Sequence, residues 1–373
     1  MESASSDEVY QDQILPHVSR TFALTIPQLP PALATPVTTA YLLCRIADTI
    51  EDEPALSPPE TLSFLQQFSA LVGGQGDAAA LAQDLEKRLS DRTLAAERDL
   101  VKHMDCVIRV ATSLDKRQLA AIRRCVELMC YGMPRFQFNA SPSGLALSTD
   151  LDDYCYYVAG VVGEMLTELF CDYSPEIARQ HAALSALAAS FAQGLQMTNI
   201  LKDVWEDRAR GACWLPQEVF RRYGIELGDL AKDAQPARFN EAMAELIGVA
   251  HAHLRNALDY TLLIPAHEVG IRRFCLWAIG LAILTLRKIA KNPGFTAGVQ
   301  VKVSRTAVSA TLALTNTFVR SDWMLKKMFE SAGAGVPRGR IPEMHRVRPG
   351  PRGLDAGEAH EHELHRSYGS SGN

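Results

Sequence analysis

Apolar residues recur along most of this chain at intervals of three and four, as at Leu184, Leu187, Phe191 and Leu195, while alternating β-branched residues are rare. Such spacing lines up side chains on one face of a helix, whereas a half-buried strand needs a period of two. The pattern predicts an all-α fold. Proline and glycine gather between the periodic stretches, at 27–33, 54–59, 73–76, 141–144, 211–216 and 292–298. These breakers divide the chain into roughly ten or more helices. No longer repeat recurs, which disfavours a solenoid.

The chain has 373 residues, beyond the ~250–300 at which single cores usually stop growing, so length alone allows one large domain or two. Hydrophobic residues at 47% and charged residues at 22% provide for an ordinary core. After about residue 333 the composition turns to Gly, Pro, Arg, Ser and His, which bury too little apolar area to offset ordering. The expected layout is one large helical domain over 1–333 and a disordered tail over 334–373.

Several function classes are disfavoured. The net charge is −5 and the 38 basic residues are scattered among 43 acidic ones, so no basic stripe for a nucleic-acid backbone is expected. The eight cysteines are widely spaced with no CxxC pair, which reads as buried thiols in a reducing cytoplasm. The polar N-terminus lacks the layout of a secretory signal. Phe274–Leu286 is the longest apolar run at 13 residues, short of the ~20 a bilayer span requires, and is expected to be a buried core helix.

Two acidic motifs carry the chemistry. In AYLLCRIADTIEDE, Tyr41, Arg45, Asp48 and Asp52 follow at helical spacing with Glu51 alongside. In GLQMTNILKDVWEDRARGACWLP, Gln196, Asn199, Asp203 and Asp207 form a second stripe with Glu206 beside it, interrupting an otherwise apolar helix. Either motif alone is most simply a solvated acidic face. Together they make two oxygen-only donor sets, of the kind Mg²⁺ takes while bridging to substrate phosphates. Arginines nearby suit two diphosphates: a metal offsets charge on a departing diphosphate, and Arg45, Lys202 and Arg210 add cationic help.

Four segments in order resemble the squalene and phytoene synthase family of head-to-head prenyl condensing enzymes: SRTFALTIPQLPPAL at 19–33, YLLCRIADTIED, DDYCYYVAGVVGEMLTELF at 152–170, and QMTNILKDVWEDRARGACWLP. The resemblance covers roughly 15–320 and implies an isoprenoid synthase fold around a central cavity, with Mg²⁺ and two prenyl diphosphates. It implies that Asp48, Asp52, Asp203 and Asp207 are metal and diphosphate carboxylates, supported by Glu51, Glu206 and Asn199. It also implies that Ser19, Arg20, Phe22, Tyr41 and Arg45 lie on the first-substrate side, Gln196 and Asn199 on the second helix, and Tyr157 at a proton-handling position.

The acidic residue after DTIED, and VKVSRTAVSATLAL at 301–314, look more like squalene than phytoene synthases. They imply NADPH use, with Lys302 and Arg305 as the candidate cofactor contacts, although Ser304, Arg305 and Thr306 stand where two basic residues and a glycine are usual. The implied reaction joins two farnesyl diphosphates to presqualene diphosphate and reduces that to squalene. The alternative stops at presqualene diphosphate, dehydrosqualene or phytoene. A non-catalytic binding protein and a terpene cyclase are further rivals. The first of these typically lacks the carboxylates present here, and the second leaves the SRTF and YCYYVAG segments unexplained. A hydrocarbon product also raises peripheral contact with the inner face of a membrane as an expectation, while oligomeric state is left open.

Overall fold

A computed structural model of the chain describes residues 5–231 and 238–341. Among these residues there are eighteen α-helical segments and no strands. An isolated parallel bridge between Leu145 and Pro216 provides the β-type pairing. The all-α expectation holds, and the Pro/Gly clusters at 54–59, 73–76, 141–144, 211–216 and 292–298 fall in helix ends and connections.

Local sequence explains where the main helices start. Helix α1, Ser6–Val18, opens on a capping box in which Ser5 N–H donates to Glu8 at 2.8 Å and Glu8 N–H donates to Ser5 Oγ. Helix α2, Pro31–Glu51, begins with a proline at its first position, where the missing N–H costs nothing. Four shorter helices lie between Pro58 and Ser113. Helix α3, Lys116–Gln137, is capped by the Asp115 carboxylate, which accepts from Arg117 N–H at 2.8 Å.

Helix α4, Ser148–Cys155, runs through a π-helical turn at Tyr156–Gly160 into α5, Val161–Tyr173. The long helices α6 (His181–Lys202), α8 (Phe239–Leu263) and α9 (Val269–Lys291) complete the body, with the short α7 (Val204–Ala209) following α6. Two C-terminal helices, α10 (Arg305–Phe318) and α11 (Asp322–Ala332), end the helical run. Leu33, Leu43 and Ile46 of α2, Val126 of α3, Leu184 of α6 and Leu254 of α8 belong to one contiguous hydrophobic core.

Helix α9 extends beyond the 13-residue run to 23 residues, and by length and composition it could cross a membrane. Its Ile271, Phe274, Cys275, Ile279, Ile283 and Leu286 are buried in the core, as a globular core helix requires. Arg272 on the same helix is 2% exposed. It donates to the carbonyls of Ile264 (2.8 Å), Val319 (3.1 Å) and Leu262 (3.4 Å) and pairs with Asp322 at 2.7 Å. One guanidinium thereby pins the ends of α8, α10 and α11 to α9.

All eight cysteines are free thiols, with Cys106 and Cys171 half-buried and the other six buried. The expected tail boundary at 334 falls early. Val336 is buried, and His251 Nδ1 donates to the Pro337 carbonyl at 3.0 Å, so 334–341 lie against α8. The remainder of the expected tail, 342–373, lies outside the described residues.

Candidate active site

Helix α2 delivers the first motif. The Tyr41 hydroxyl donates to the Val18 carbonyl at 3.0 Å, and Arg45 Nη2 donates to the same carbonyl at 3.3 Å and to Tyr41 Oη at 3.4 Å. Phe22 N–H donates to Ser19 Oγ at 3.0 Å, and the Phe22 ring centre is 4.8 Å from Tyr41 and 6.4 Å from Phe274. Ser19, Phe22, Tyr41 and Arg45 therefore gather where the C-terminal end of α1 meets the middle of α2. Arg20 is exposed.

Asp48 sits in the last turn of α2 and Asp52 caps it, with Asp52 N–H donating to the Asp48 carbonyl at 2.9 Å. Burial raises the Asp48 carboxyl to about 7, Arg45 opposes the rise, and Asp52 and Glu97 add to it. Glu51 is raised by burial and then by Asp52 and Asp48, and its Oε1 is buried with no hydrogen-bond partner. Asp52 keeps contact with solvent at the helix end. Even so, the protein packed around it raises its pKa against the pull of Arg210 and Arg45.

The second motif straddles a break that its spacing conceals. Helix α6 stops at Lys202, Asp203 has φ −99° and ψ 14°, and α7 begins at Val204. Asp203 N–H still donates to the Asn199 carbonyl at 2.8 Å, and Asp207 N–H to the Asp203 carbonyl at 2.9 Å. The four-residue spacing therefore survives the break, and Asn199, Asp203 and Asp207 stay in line. Gln196 is half-buried on the same stripe and Asn199 is exposed. Gly211, at φ +89°, takes the left-handed conformation that ends α7 and turns the chain toward Trp214.

Lys202 Nζ lies 3.1 Å from Asp203 Oδ2, and Arg210 Nη2 pairs with Asp207 Oδ1. Burial raises both carboxyls, against Lys202 at Asp203 and Arg210 at Asp207. Trp205 Nε1 donates to the Phe295 carbonyl at 2.7 Å, and Gly298 N–H donates to Glu206 Oε1 at 2.8 Å. Glu206 thus ties the second motif to the segment that leads to Lys302 and Arg305, both exposed.

The two motifs face each other. Arg210 feels Asp207, Asp52 and Asp203, and Asp52 and Asp207 repel across the gap. Tyr154 completes the junction. Burial raises its hydroxyl pKa, followed by Glu51, Asp52, Cys155 and Asp207, and its ring stacks on Trp214 at 4.1 Å and 11°. The resemblance gives the proton-handling role to Tyr157, on the π-helical turn just after Tyr154. The Tyr157 ring packs among Tyr131, Phe136 and Tyr156, with Gly132 so close that a Cβ there would lie 2.1 Å from it.

Tyr154, Trp214 and Glu97, whose carboxylate is 3.7 Å from Arg45, were not singled out by sequence. Helical spacing marks faces, and none of the three lies on either acidic stripe. A cavity of about 200 Å³ opens beside α6, lined by Leu151, Asp152, Met197, Glu245, Leu246 and Arg338–Arg340, and none of the carboxylates of the two motifs lines it.

Among the described residues no three Asp, Glu, His or Cys side chains converge to enclose a metal ion. The donor set nonetheless fits Mg²⁺, which keeps waters and borrows phosphate oxygens: carboxylates approach from two sides, one buried Glu51 oxygen is unpartnered, and mutual repulsion is incompletely offset.

The squalene/phytoene synthase family model matches residues 15–307. A curated squalene synthase of Gibberella zeae is 29% identical over 74% of this chain and 57% of its own length. The chain spans roughly three fifths of the length of the curated relatives it matches. Among solved structures, a "TcSQS" complex with the ligand BPH1237 superposes with a TM-score of 0.71 at 23% identity, covering 92% of this chain and 94% of that one. A dehydrosqualene synthase in complex with a ligand gives 0.61 at 22% identity, covering 84% and 97%. These structures share the isoprenoid synthase fold. With the family match spanning most of its length, the chain belongs to the squalene/phytoene synthase family.

Proposed function

We propose that this chain is a Mg²⁺-dependent farnesyltransferase that joins two farnesyl diphosphates head to head into presqualene diphosphate and, with NADPH, reduces that product to squalene. The observation that carries the reading is that Asp52, at the end of the helix that bears Asp48 and Glu51, faces Asp203 and Asp207 across Arg210. Such opposed carboxylates repel one another without a cation between them. Asp48, Asp52, Asn199, Asp203 and Asp207, with Glu51 and Glu206 in support, would hold the Mg²⁺, which when bound would offset charge on the departing diphosphate.

The chain's own groups do the rest. Lys202, Arg210 and Arg45 place positive charge around the diphosphates. Tyr157 is the candidate for handling the proton near the first ionisation, and the Tyr154 hydroxyl, its pKa raised by burial and by carboxylates of both motifs, stays neutral beside them. Phe22, Tyr41 and Phe274 offer an apolar aromatic wall to the prenyl chain, which keeps water from the allylic cation.

NADPH would supply hydride to the second step, and Lys302 and Arg305, exposed cations that follow the segment tied to Glu206, would meet its phosphates. A cytoplasmic setting fits the free, mostly buried thiols. The second reading, a synthase that stops before reduction, draws on the likeness to a dehydrosqualene synthase and on the departures around Ser304–Thr306.

The test is incubation of the protein with farnesyl diphosphate and Mg²⁺, with and without NADPH, followed by mass analysis of extracted lipids. Squalene formed only with NADPH supports the full reaction. Presqualene diphosphate or a dehydrogenated product regardless of NADPH keeps the condensing site and overturns the reductive step. No condensation product in either case overturns the proposal.

A further inference from the structure

Helix α10 is unusual for a surface helix. It leans on α9 closely enough that a Cβ on Gly280 would lie 2.6 Å from Thr311 Cγ2. Yet Thr315 is the one buried residue among its fourteen. From Thr306 to Val319 no side chain is charged. An exposed helix facing only water normally carries charge on its outer side.

The neighbouring residues share the anomaly. Leu314 is 49% exposed and Trp323, at the start of α11, is 67% exposed. Basic side chains bracket this stretch: Lys302 and Arg305 before it, then Arg320, Lys326 and Lys327 after it, all exposed. The two acidic residues of the same segment are already engaged, Asp322 by Arg272 at 2.7 Å and Glu330 by Lys327 at 3.3 Å. A locally positive, uncharged-centred face thus stands on a chain whose net charge is −5.

Three occupants can cover such a face. A second copy docked on the same patch by a two-fold axis would bring the two basic rims together, which repels. An acidic protein partner would find charges only at the rim and none along the fourteen-residue centre. An exposed indole with aliphatic and small residues, rimmed by Lys and Arg, matches the interfacial zone of a bilayer with anionic headgroups.

We infer that the α10–α11 face docks on an anionic lipid surface, with Trp323 and Leu314 at headgroup depth and Arg320, Lys326 and Lys327 on lipid phosphates. This placement does not depend on the reaction assigned above.

The test is flotation of the full chain with vesicles of phosphatidylcholine alone and mixed with phosphatidylglycerol, at low and high salt. Binding is expected only to the phosphatidylglycerol vesicles and is released by salt. The double variant Lys326→Gln/Lys327→Gln should bind ~25-fold more weakly, about fivefold per cation, and Trp323→Ser roughly tenfold more weakly through lost apolar burial. Thermal melting and detergent-supported turnover of these variants should match the native chain, which separates this proposal from the catalytic one.

Native protein that ignores phosphatidylglycerol vesicles, or variants that bind them unchanged, overturns the inference. So does a concentration-dependent dimer dissolved by Trp323→Ser. A further refutation is an emission component, assigned by difference from Trp323→Phe, that acrylamide cannot quench in vesicle-free protein, because the face would then be covered by the chain itself. Should a variant fail to fold, the lipid and salt dependence of the native chain still decides.

Discussion

Replacing Asp48 by Asn should make the metal-free protein more stable while disabling it. Asp48 has a folded-state pKa of about 7 against an ordinary 3.8, caused first by burial. A carboxyl raised in this way takes up a proton on folding between the two values. Stability therefore falls as pH rises through that window, and the penalty is complete above about pH 7. At 1.36 kcal/mol per pH unit, the gap of about three units caps the penalty at ~4 kcal/mol. Partial exposure of Asp48 and relaxation around Arg45 reduce it to ~1–2 kcal/mol.

Asp48→Asn in chelator at pH 8 should accordingly raise Tm by ~2–5 °C, and the advantage should shrink by more than half at pH 5, where native Asp48 is already protonated in the folded state. Added Mg²⁺ should raise the native Tm and leave the variant nearly unmoved. Turnover of the variant should fall ~10²-fold or more. Differential scanning calorimetry with a matched activity assay reads all of this. A variant that melts lower than native protein at pH 8 in chelator would refute the reasoning, because Asp48 would then be making favourable contacts rather than waiting for a cation.

Other outcomes follow from single contacts. Tyr157→Phe should lower kcat ~10²-fold, the usual scale for losing a placed proton-handling group, with little change in Tm; an unchanged kcat in steady-state kinetics would take the role away from Tyr157. Gly132→Ala pushes a methyl into the Tyr157 ring and should cost ~1–3 kcal/mol by overpacking, seen in chemical denaturation. Arg272→Met strips donors from three carbonyls and from Asp322 and should cost ~3 kcal/mol, with early loss of protection in the 319–332 segment by hydrogen exchange.

Helix class and both acidic motifs were legible because each rests on short-range spacing: apolar residues at three and four, and carboxylates one turn apart. What spacing could not carry was phase across an irregularity. The π-helical turn at Tyr156–Gly160 shifts the register of the helix that bears three tyrosines, so counting along it at about 3.6 residues per turn does not tell which side chains share a face. The non-helical Asp203 likewise splits a run that reads as one helix, though its hydrogen bonds preserve the alignment. Glu97 and Trp214 join the site from segments distant in sequence, and no local pattern marks them. Residues 334–341 look too polar to pack, but His251 and a buried Val336 hold them, a tertiary contact invisible to composition.

That the two motifs form one Mg²⁺-diphosphate site is tested most directly by calorimetric titration of inorganic pyrophosphate, with and without Mg²⁺, into native protein, Asp52→Asn and Asp207→Asn. Binding by native protein only with Mg²⁺, and weakened at least ~10-fold by either substitution, is the predicted result. Binding indifferent to Mg²⁺, or lost with one substitution and untouched by the other, would contradict a shared site.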